Sequence, residues 1–200
     1  MKTRLASTIG ASAAKDLYVE SVRHLTNELK KLQGFEIFWA VNERHALGEW
    51  GSFDSLWQGQ GDLGHKLSRV FSSLYTPESY VFIIGSDSPQ ISQRHFEQSI
   101  CQLDHCDVVI GPAIDGGFYL IASKVELPES FWCGVPYSQT NTLEILVEQI
   151  EKLGFSYTLL EKLTDMDTVE DLHILKMQIA NQETSLVNMI DAVIFDNFGH

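Results

Sequence analysis

Basic residues are scarce: 14 Lys and Arg stand against 27 Asp and Glu in 200 residues, for a formal charge of −13. A nucleic-acid binder neutralises phosphates with a cationic face, and this chain has little from which to build one. Cysteine is equally thin. Cys101, Cys106 and Cys133 are an odd number and form no Cys-x-x-Cys pair, which argues against a disulfide frame or a structural zinc knuckle and for free thiols in a reducing compartment. No histidine lies four residues from another, so spacing marks none as a metal ligand. Long apolar runs are missing too. None approaches the roughly 20 residues of a membrane span, and Met1-Lys2-Thr3-Arg4 has no signal-peptide core, so a cytoplasmic protein without a membrane span is the expectation. What remains is an ordinary globular composition, 44% hydrophobic, in a chain long enough for one domain over residues 1–200.

The patterning alternates between helix and strand. Leu17, Val22, Leu25, Leu29 and Leu32 recur at helical spacing between Arg4 and Leu32, and Gly34 ends the run. Phe35–Val41 is aromatic and β-branched and reads as a strand; a polar, Gly-rich stretch follows to Gly64, and Leu67, Val70, Phe71 and Leu74 mark a second helix. Tyr80–Ile84 is continuously apolar, as in a strand buried on both faces. Further helices are expected at Ser92–Leu103, Thr142–Leu153 and after a Thr168 cap, and strands at Val108–Pro112, Phe118–Ala122 and Phe155–Leu160. The two strands flanking Asp115-Gly116-Gly117 are too close for a helix between them and are expected to pair through a turn. This is the order of a three-layer α/β/α domain with a mainly parallel sheet.

Ligands of open α/β sheets bind beyond the carboxyl ends of the strands. Asp87, Asp115 and Asp167 each follow a strand, and two converging carboxylates make a hard oxygen site of the kind Mg²⁺ or Mn²⁺ uses beside substrate phosphates. Taken singly, each is as readily a turn or cap residue. Lys2 and Arg4 stand at the start of the first helix, where its free amides favour an anion. The loop Gln58–Gly64 carries three glycines that permit close backbone approach. No Ser or Cys is paired with a His in any nucleophile pattern, which favours direct displacement over a covalent intermediate.

Five motifs stand in a fixed order: Lys2-Thr3-Arg4-Leu5-Ala6, Gln58-x-x-Gly61-Asp62-Leu63-Gly64, Gly85-Ser86-Asp87-Ser88-Pro89, Gly111-Pro112-Ala113-x-Asp115-Gly116-Gly117-Phe118-Tyr119-Leu120 and Asp165-x-Asp167-Thr168-x-Glu170-Asp171-Leu172. Over residues 1–180 the chain resembles a bacterial family of uncharacterised GT-A-type glycosyltransferases, long catalogued as a domain of unknown function and related to molybdenum-cofactor and phospholactate guanylyltransferases. The resemblance implies a nucleotide-diphospho-sugar transferase fold (GT-A, Rossmann-like) and a divalent-metal-dependent glycosyl or nucleotidyl transfer. Its substrates would be a nucleoside triphosphate or nucleotide-sugar and a small acceptor. It implies Asp87 and Asp167 as ligands of Mg²⁺ or Mn²⁺, Lys2 and Arg4 on the phosphates, and Gln58, Gly61, Asp62, Gly64, Gly116 and Gly117 on the substrate. Asp115 is the remaining acid, a base if the acceptor needs one. A non-catalytic nucleotide-binding or assembly protein that keeps the fold is the alternative, and a homodimer is open to either.

Family members place a buried first strand and a Pro/Gly loop ahead of Lys-Thr-Arg-Leu, and no such strand precedes Lys2 here. The closing run Asp191-Ala192-Val193-Ile194-Phe195-Asp196-Asn197-Phe198-Gly199-His200 reads as a strand and glycine loop. The expectation is that residues 186–200 supply an extra strand that fills the first-strand slot, as in a permuted chain.

Overall fold

The apolar runs at the centre of the chain build a four-stranded sheet. The computed structural model describes residues 3–46, 51–179 and 185–198. Its elements in chain order are α1 (Thr3–Ile9), α2 (Ala11–Leu29), β1 (Phe38–Val41), β2 (Asp54–Trp57), α3 (Leu63–Leu74), β3 (Val81–Ile84), α4 (Gln93–Leu103), β4 (Val108–Pro112), β5 (Phe118–Ser123), α5 (Glu129–Cys133), α6 (Thr142–Lys152), β6 (Tyr157–Leu159), α7 (Val169–Ile179) and α8 (Ser185–Phe198). The main sheet has the order β3-β5-β4-β6. Strands β4 and β6 are parallel, whereas β5 runs antiparallel to both β3 and β4, as the short Asp115-Gly116-Gly117 connection requires.

Side chains of these strands alternate between two cores. Val109, Leu120 and Ala122 face α2 and α4, while Val108, Ile110 and Ile121 face α3, α5 and α6. The sheet is therefore the middle of three layers, and burial on both faces explains its near-continuous apolar sequence. A third core joins α1, α2, α7 and α8 through Leu5, Leu17, Leu172, Leu175, Leu186 and Ile190. No helix among the described residues is long and apolar enough to cross a membrane.

Four local expectations change. The first helix is broken at Gly10, whose φ of 86° is outside helical space, so it forms two segments, α1 and α2. The Gly-rich stretch before Gly64 contains β2, which pairs in parallel with β1. These two strands form a separate two-stranded sheet. Five-residue α5 had no helical period to reveal it.

The closing segment is the largest correction. Residues 185–198 are helix α8, and Val193–Phe195 lie outside both sheets, which removes the permuted-strand reading. The reason is visible in the burial. Leu186 and Ile190 are fully buried, and Val187, Met189, Val193 and Ile194 pack beside them, so the apolar residues follow a three- and four-residue period. Phe195 is 71% exposed and contributes nothing to a core. Gly199 and His200 lie outside the described residues.

Strand β1 pairs only with β2, and β3 only with β5, so each keeps one edge without a strand partner among the described residues. Phe38–Val41 of β1 and Phe82–Ile84 of β3 both line one groove, floored by Val22, Leu25 and Leu29 of α2.

Candidate active site at the carboxyl ends of the strands

Hydrogen bonds beyond the strand ends gather the acidic loops. Parallel pairing of β4 with β6 continues past both strands: Leu163 N–H donates to the Pro112 carbonyl at 3.1 Å and Ile114 N–H to the Leu163 carbonyl at 2.9 Å. The Asp115 turn and the Asp165–Asp167 turn are thereby neighbours. Past β3, Met166 N–H donates to the Asp87 carbonyl at 3.3 Å, and the buried Ser88 hydroxyl donates to Asp165 Oδ1 at 3.0 Å. Gln90 Nε2 reinforces this junction by donating to the Thr164 carbonyl and to Gln178 Oε1 of α7. Tyr18 of α2 meets Ser86 Oγ at 2.9 Å. The loop after β3 is thus fixed on two sides, a rigid support for a functional carboxylate.

The result is a cavity of about 850 Å³ in which the groove between the sheets opens into a polar end. Asp87, Asp115 and Asp165 line it, together with Asn42, Gln58, Lys66 and Gly117. Lys66 is the one cation among the described lining residues. It projects from the cleft face of α3 and donates to Asn42 Oδ1 at 2.6 Å, just past β1. Asp115 Oδ1 accepts from Gly117 N–H at 2.8 Å, closing an Asx turn. Gly116 has a φ of 93°, and a Cβ there would lie 2.0 Å from the Thr140 carbonyl oxygen, so no other residue fits. Gly116 shapes the turn rather than lining the cavity.

The remaining expected residues divide. Gln58 lines the cleft, with Nε2 donating to the Ala40 carbonyl at 2.8 Å. Gly61, Asp62 and Gly64 surround the start of α3, outside the lining: Asp62 caps the helix by accepting from His65 N–H at 3.0 Å. That bond, with the His65 ring, holds the Asp62 carboxyl below the usual carboxylate range. Gly64 abuts α5, where a Cβ would approach the Trp132 carbonyl oxygen to 2.7 Å. Asp167 is engaged by Arg4 at 3.2 Å, and it is Asp165, two residues earlier, that faces the cleft. Lys2 lies outside the described residues. Sequence reasoning named Asp165 only as part of a motif and missed Lys66 altogether. The available signal for Lys66 was its position four residues after Asp62, together with Leu63, Leu67, Val70 and Leu74 on one helix face.

Three carboxylates from separate loops form a hard oxygen donor set. Their loops are neighbours, but among the described residues their donor atoms form no group of three within 4.8 Å of one another. That arrangement suits a cation that takes one or two protein carboxylates and completes its shell with phosphate oxygens and water.

Fold and site together define a nucleotide-diphospho-sugar transferase fold, with an acidic cleft at the carboxyl ends of its strands. A crystal structure of a candidate nucleotide-diphospho-sugar transferase from Desulfovibrio desulfuricans G20 is similar to this chain at a TM-score of 0.83, with 25% identity, over 98% of this chain and 91% of that one. The bifunctional IspDF from Campylobacter jejuni shares the fold more distantly, at a TM-score of 0.55 and 12% identity, over 76% of this chain and 45% of its own. In sequence, the 2-phospho-L-lactate guanylyltransferase of Methanocaldococcus sp. (strain FS406-22) is 26% identical over 180 residues, covering 86% of this chain and 74% of that protein. Residues 30–139 match the model of the family described as "Uncharacterized protein conserved in bacteria (DUF2064)", and the chain belongs to that family.

Proposed function

We propose that this protein is a transferase that acts on a nucleoside triphosphate or nucleotide-sugar, moving a nucleotidyl or glycosyl group to a small acceptor by direct displacement. The observation that carries this reading is the gathering of Asp87, Asp115 and Asp165 with Lys66 at one end of a single cleft. The relatives' names, a guanylyltransferase and a candidate nucleotide-diphospho-sugar transferase, support the same reaction class.

Each residue has a physical task. Two anionic reactants must approach at one centre, so charge has to be neutralised. Lys66 points into the cleft and meets phosphate as a point charge. Arg4, carried at the start of α1 and held by Asp167, stands beside the Asp165 turn as a second cation for the leaving phosphate. Gln58 offers its amide oxygen to the base, ribose or sugar, and Gly117, whose N–H is held by Asp115, permits close backbone approach. Asp115 is positioned by its Asx turn to accept a proton where the acceptor is a hydroxyl. The cleft lining contains no histidine or cysteine among the described residues, in keeping with displacement without a covalent enzyme intermediate.

Asp87 and the Asp165–Asp167 turn would hold Mg²⁺ or Mn²⁺, with Asp165 facing the cleft and Asp167 beside it. When bound, the ion supplies charge neutralisation on phosphate oxygens.

Calorimetric titration with nucleoside triphosphates and nucleotide-sugars, with and without Mg²⁺, tests the reading. Binding is expected to depend on metal and to weaken at least about tenfold in Asp87→Asn, the loss of roughly one charge-assisted contact. Absence of binding to every nucleotide under every metal condition overturns it. The second reading, a nucleotide-binding protein without catalysis, draws on β1 and β3, which both line the cleft and each keep one edge without a strand partner among the described residues. It predicts metal-dependent binding with no turnover of any bound nucleotide in the presence of acceptor panels.

A further inference from the structure

Helix α3 presents two faces with different chemistry. Leu63, Lys66, Leu67, Val70 and Leu74 line the cleft, whereas His65, Ser68, Arg69 and Ser72 line a shallow recess of about 250 Å³ that Glu129 closes from α5. The close fit of Gly64 against the Trp132 carbonyl brings the start of α3 onto α5. His65 therefore sits beside Glu129 and Cys133, which are four residues apart on one face of α5.

The donor atoms of His65, Glu129 and Cys133 all lie within 4.8 Å of one another. His65 Nε2 is 3.9 Å from Glu129 Oε1. Bonds of about 2.0–2.3 Å to zinc place tetrahedral donors roughly 3.3–3.8 Å apart, so a closure of about one ångström completes the geometry. Rotation of exposed side chains supplies it: His65 is 46% and Glu129 70% exposed.

A separate observation concerns the histidine ring. Asp62, the cap of α3, has its Oδ1 2.7 Å from His65 Nδ1, a carboxylate placed to accept a hydrogen bond from the Nδ1–H tautomer, in which Nε2 on the Glu129 side carries the lone pair. A carboxylate behind the ring fixes the tautomer that binds metal and raises the basicity of the coordinating nitrogen. Arg69, which lines the same recess, is directed elsewhere, donating to the carbonyls of Gln58 and Gln60.

We propose that His65 Nε2, Glu129 and Cys133 form a metal site for Zn²⁺ or a similarly thiophilic divalent ion, with Asp62 as the positioning residue and solvent as the fourth ligand. The mixed nitrogen, oxygen and sulfur set selects such an ion over Mg²⁺, which the all-oxygen cleft on the opposite face of α3 suits. The bound ion ties the first turn of α3 to α5 and so fixes the base from which Lys66 reaches into the cleft. The proposal stands independently of the transferase reading.

The test uses the metal-stripped full chain with no nucleotide present. Titration with Zn²⁺ is expected to give one site per chain that Mg²⁺ in large excess does not displace. Cys133→Ser and His65→Gln should each weaken it at least tenfold, and Asp62→Asn by about tenfold to a hundredfold, the usual cost of removing a carboxylate behind a metal-bound histidine. Asp87→Asn and Cys101→Ser should leave it unchanged. Co²⁺ in place of Zn²⁺ should give a thiolate-to-metal charge-transfer band in the near ultraviolet that Cys133→Ser abolishes. Since the ligands are on the surface, the variants should keep the far-ultraviolet circular dichroism of the parent. No Zn²⁺ binding overturns the proposal. So does binding that Cys133→Ser leaves intact, or that Asp87→Asn or Cys101→Ser removes.

Discussion

The two sheets of this molecule differ in what surrounds them. Strands β4 and β5 are buried along almost their whole length and are packed on both faces, whereas β1 and β2 are half-buried, with only Val41 fully so. The larger sheet is a rigid platform from which Asp87, Asp115 and the β6-side Asp165 turn emerge. The smaller one, with Gln58 and the Lys66–Asn42 bond at its end, forms the opposite wall of the cleft. The fixed acids thus emerge from the more buried sheet and the amide groups of Asn42 and Gln58 from the less buried one, with Lys66 reaching across to Asn42 from α3, a helix packed on the larger sheet. Binding sites commonly draw on the less stable part of a fold, because closing on a ligand requires some freedom there.

That contrast can be broken or sharpened by experiment. The largest effect is expected from Trp132→Ala: this fully buried ring packs on Phe71 and Phe131 beneath the larger sheet, and its loss should cost about 3–5 kcal/mol in denaturant titration. Leu56→Ala in half-buried β2 should cost less than about 2 kcal/mol in the same assay, and equal costs would end the distinction. Next, Lys66→Ala should weaken nucleotide binding about tenfold, or ~1.4 kcal/mol, with little change in unfolding midpoint. An unchanged affinity would move the phosphate site away from α3. In hydrogen exchange, amides of β1 and β2 should exchange well ahead of those of β4 and β5. Simultaneous exchange would make the sheets one cooperative unit.

The smallest effect lies at the far end of the larger sheet. Asp107 Oδ2 accepts from the Ser156 hydroxyl at 2.7 Å and from Ser156 N–H at 2.8 Å, tying the start of β4 to that of β6. These bonds, with Lys124 adding a smaller pull, lower the Asp107 carboxyl below its ordinary value. A lowered folded-state value adds stability that is present above the unfolded carboxyl near 3.9 and is lost as pH falls through the lowered folded value. Asp107→Asn should therefore cost about 1 kcal/mol at neutral pH and less under acid. An equal cost at pH 7 and pH 2 would show that the charge is irrelevant to the latch.

Much of this organisation was legible from residue order. The aspartates after β3 and β4 announced a strand-end site, since an apolar run followed by Gly-Ser-Asp-Ser-Pro reads as a strand leaving a sheet; the expected burial on both faces holds for β4, whereas β3 lies at the sheet edge with only Val81 buried. The turn between β4 and β5 followed from its length. Reading Asp191–Phe195 as a strand failed because Val193, Ile194 and Phe195 are β-branched or aromatic, and propensity was weighed above the longer period running back to Leu186. Strand β2 was hidden among polar residues because a half-buried strand in a small sheet needs little apolar content.

The sequence by itself determined the layer order, the strand-end carboxylates and the family, because apolar period and motif order are local properties that neighbours in the chain carry. Tertiary structure alone decided which acid of the Asp165–Asp167 turn faces the cleft, that Arg4 engages the other, and that Lys66 is the cleft's cation. It also decided that His65 meets Glu129 and Cys133, residues more than sixty positions apart. Such pairings depend on which helix face turns inward and how closely two helices pack, and the Gly64 contact with the Trp132 carbonyl sets that distance.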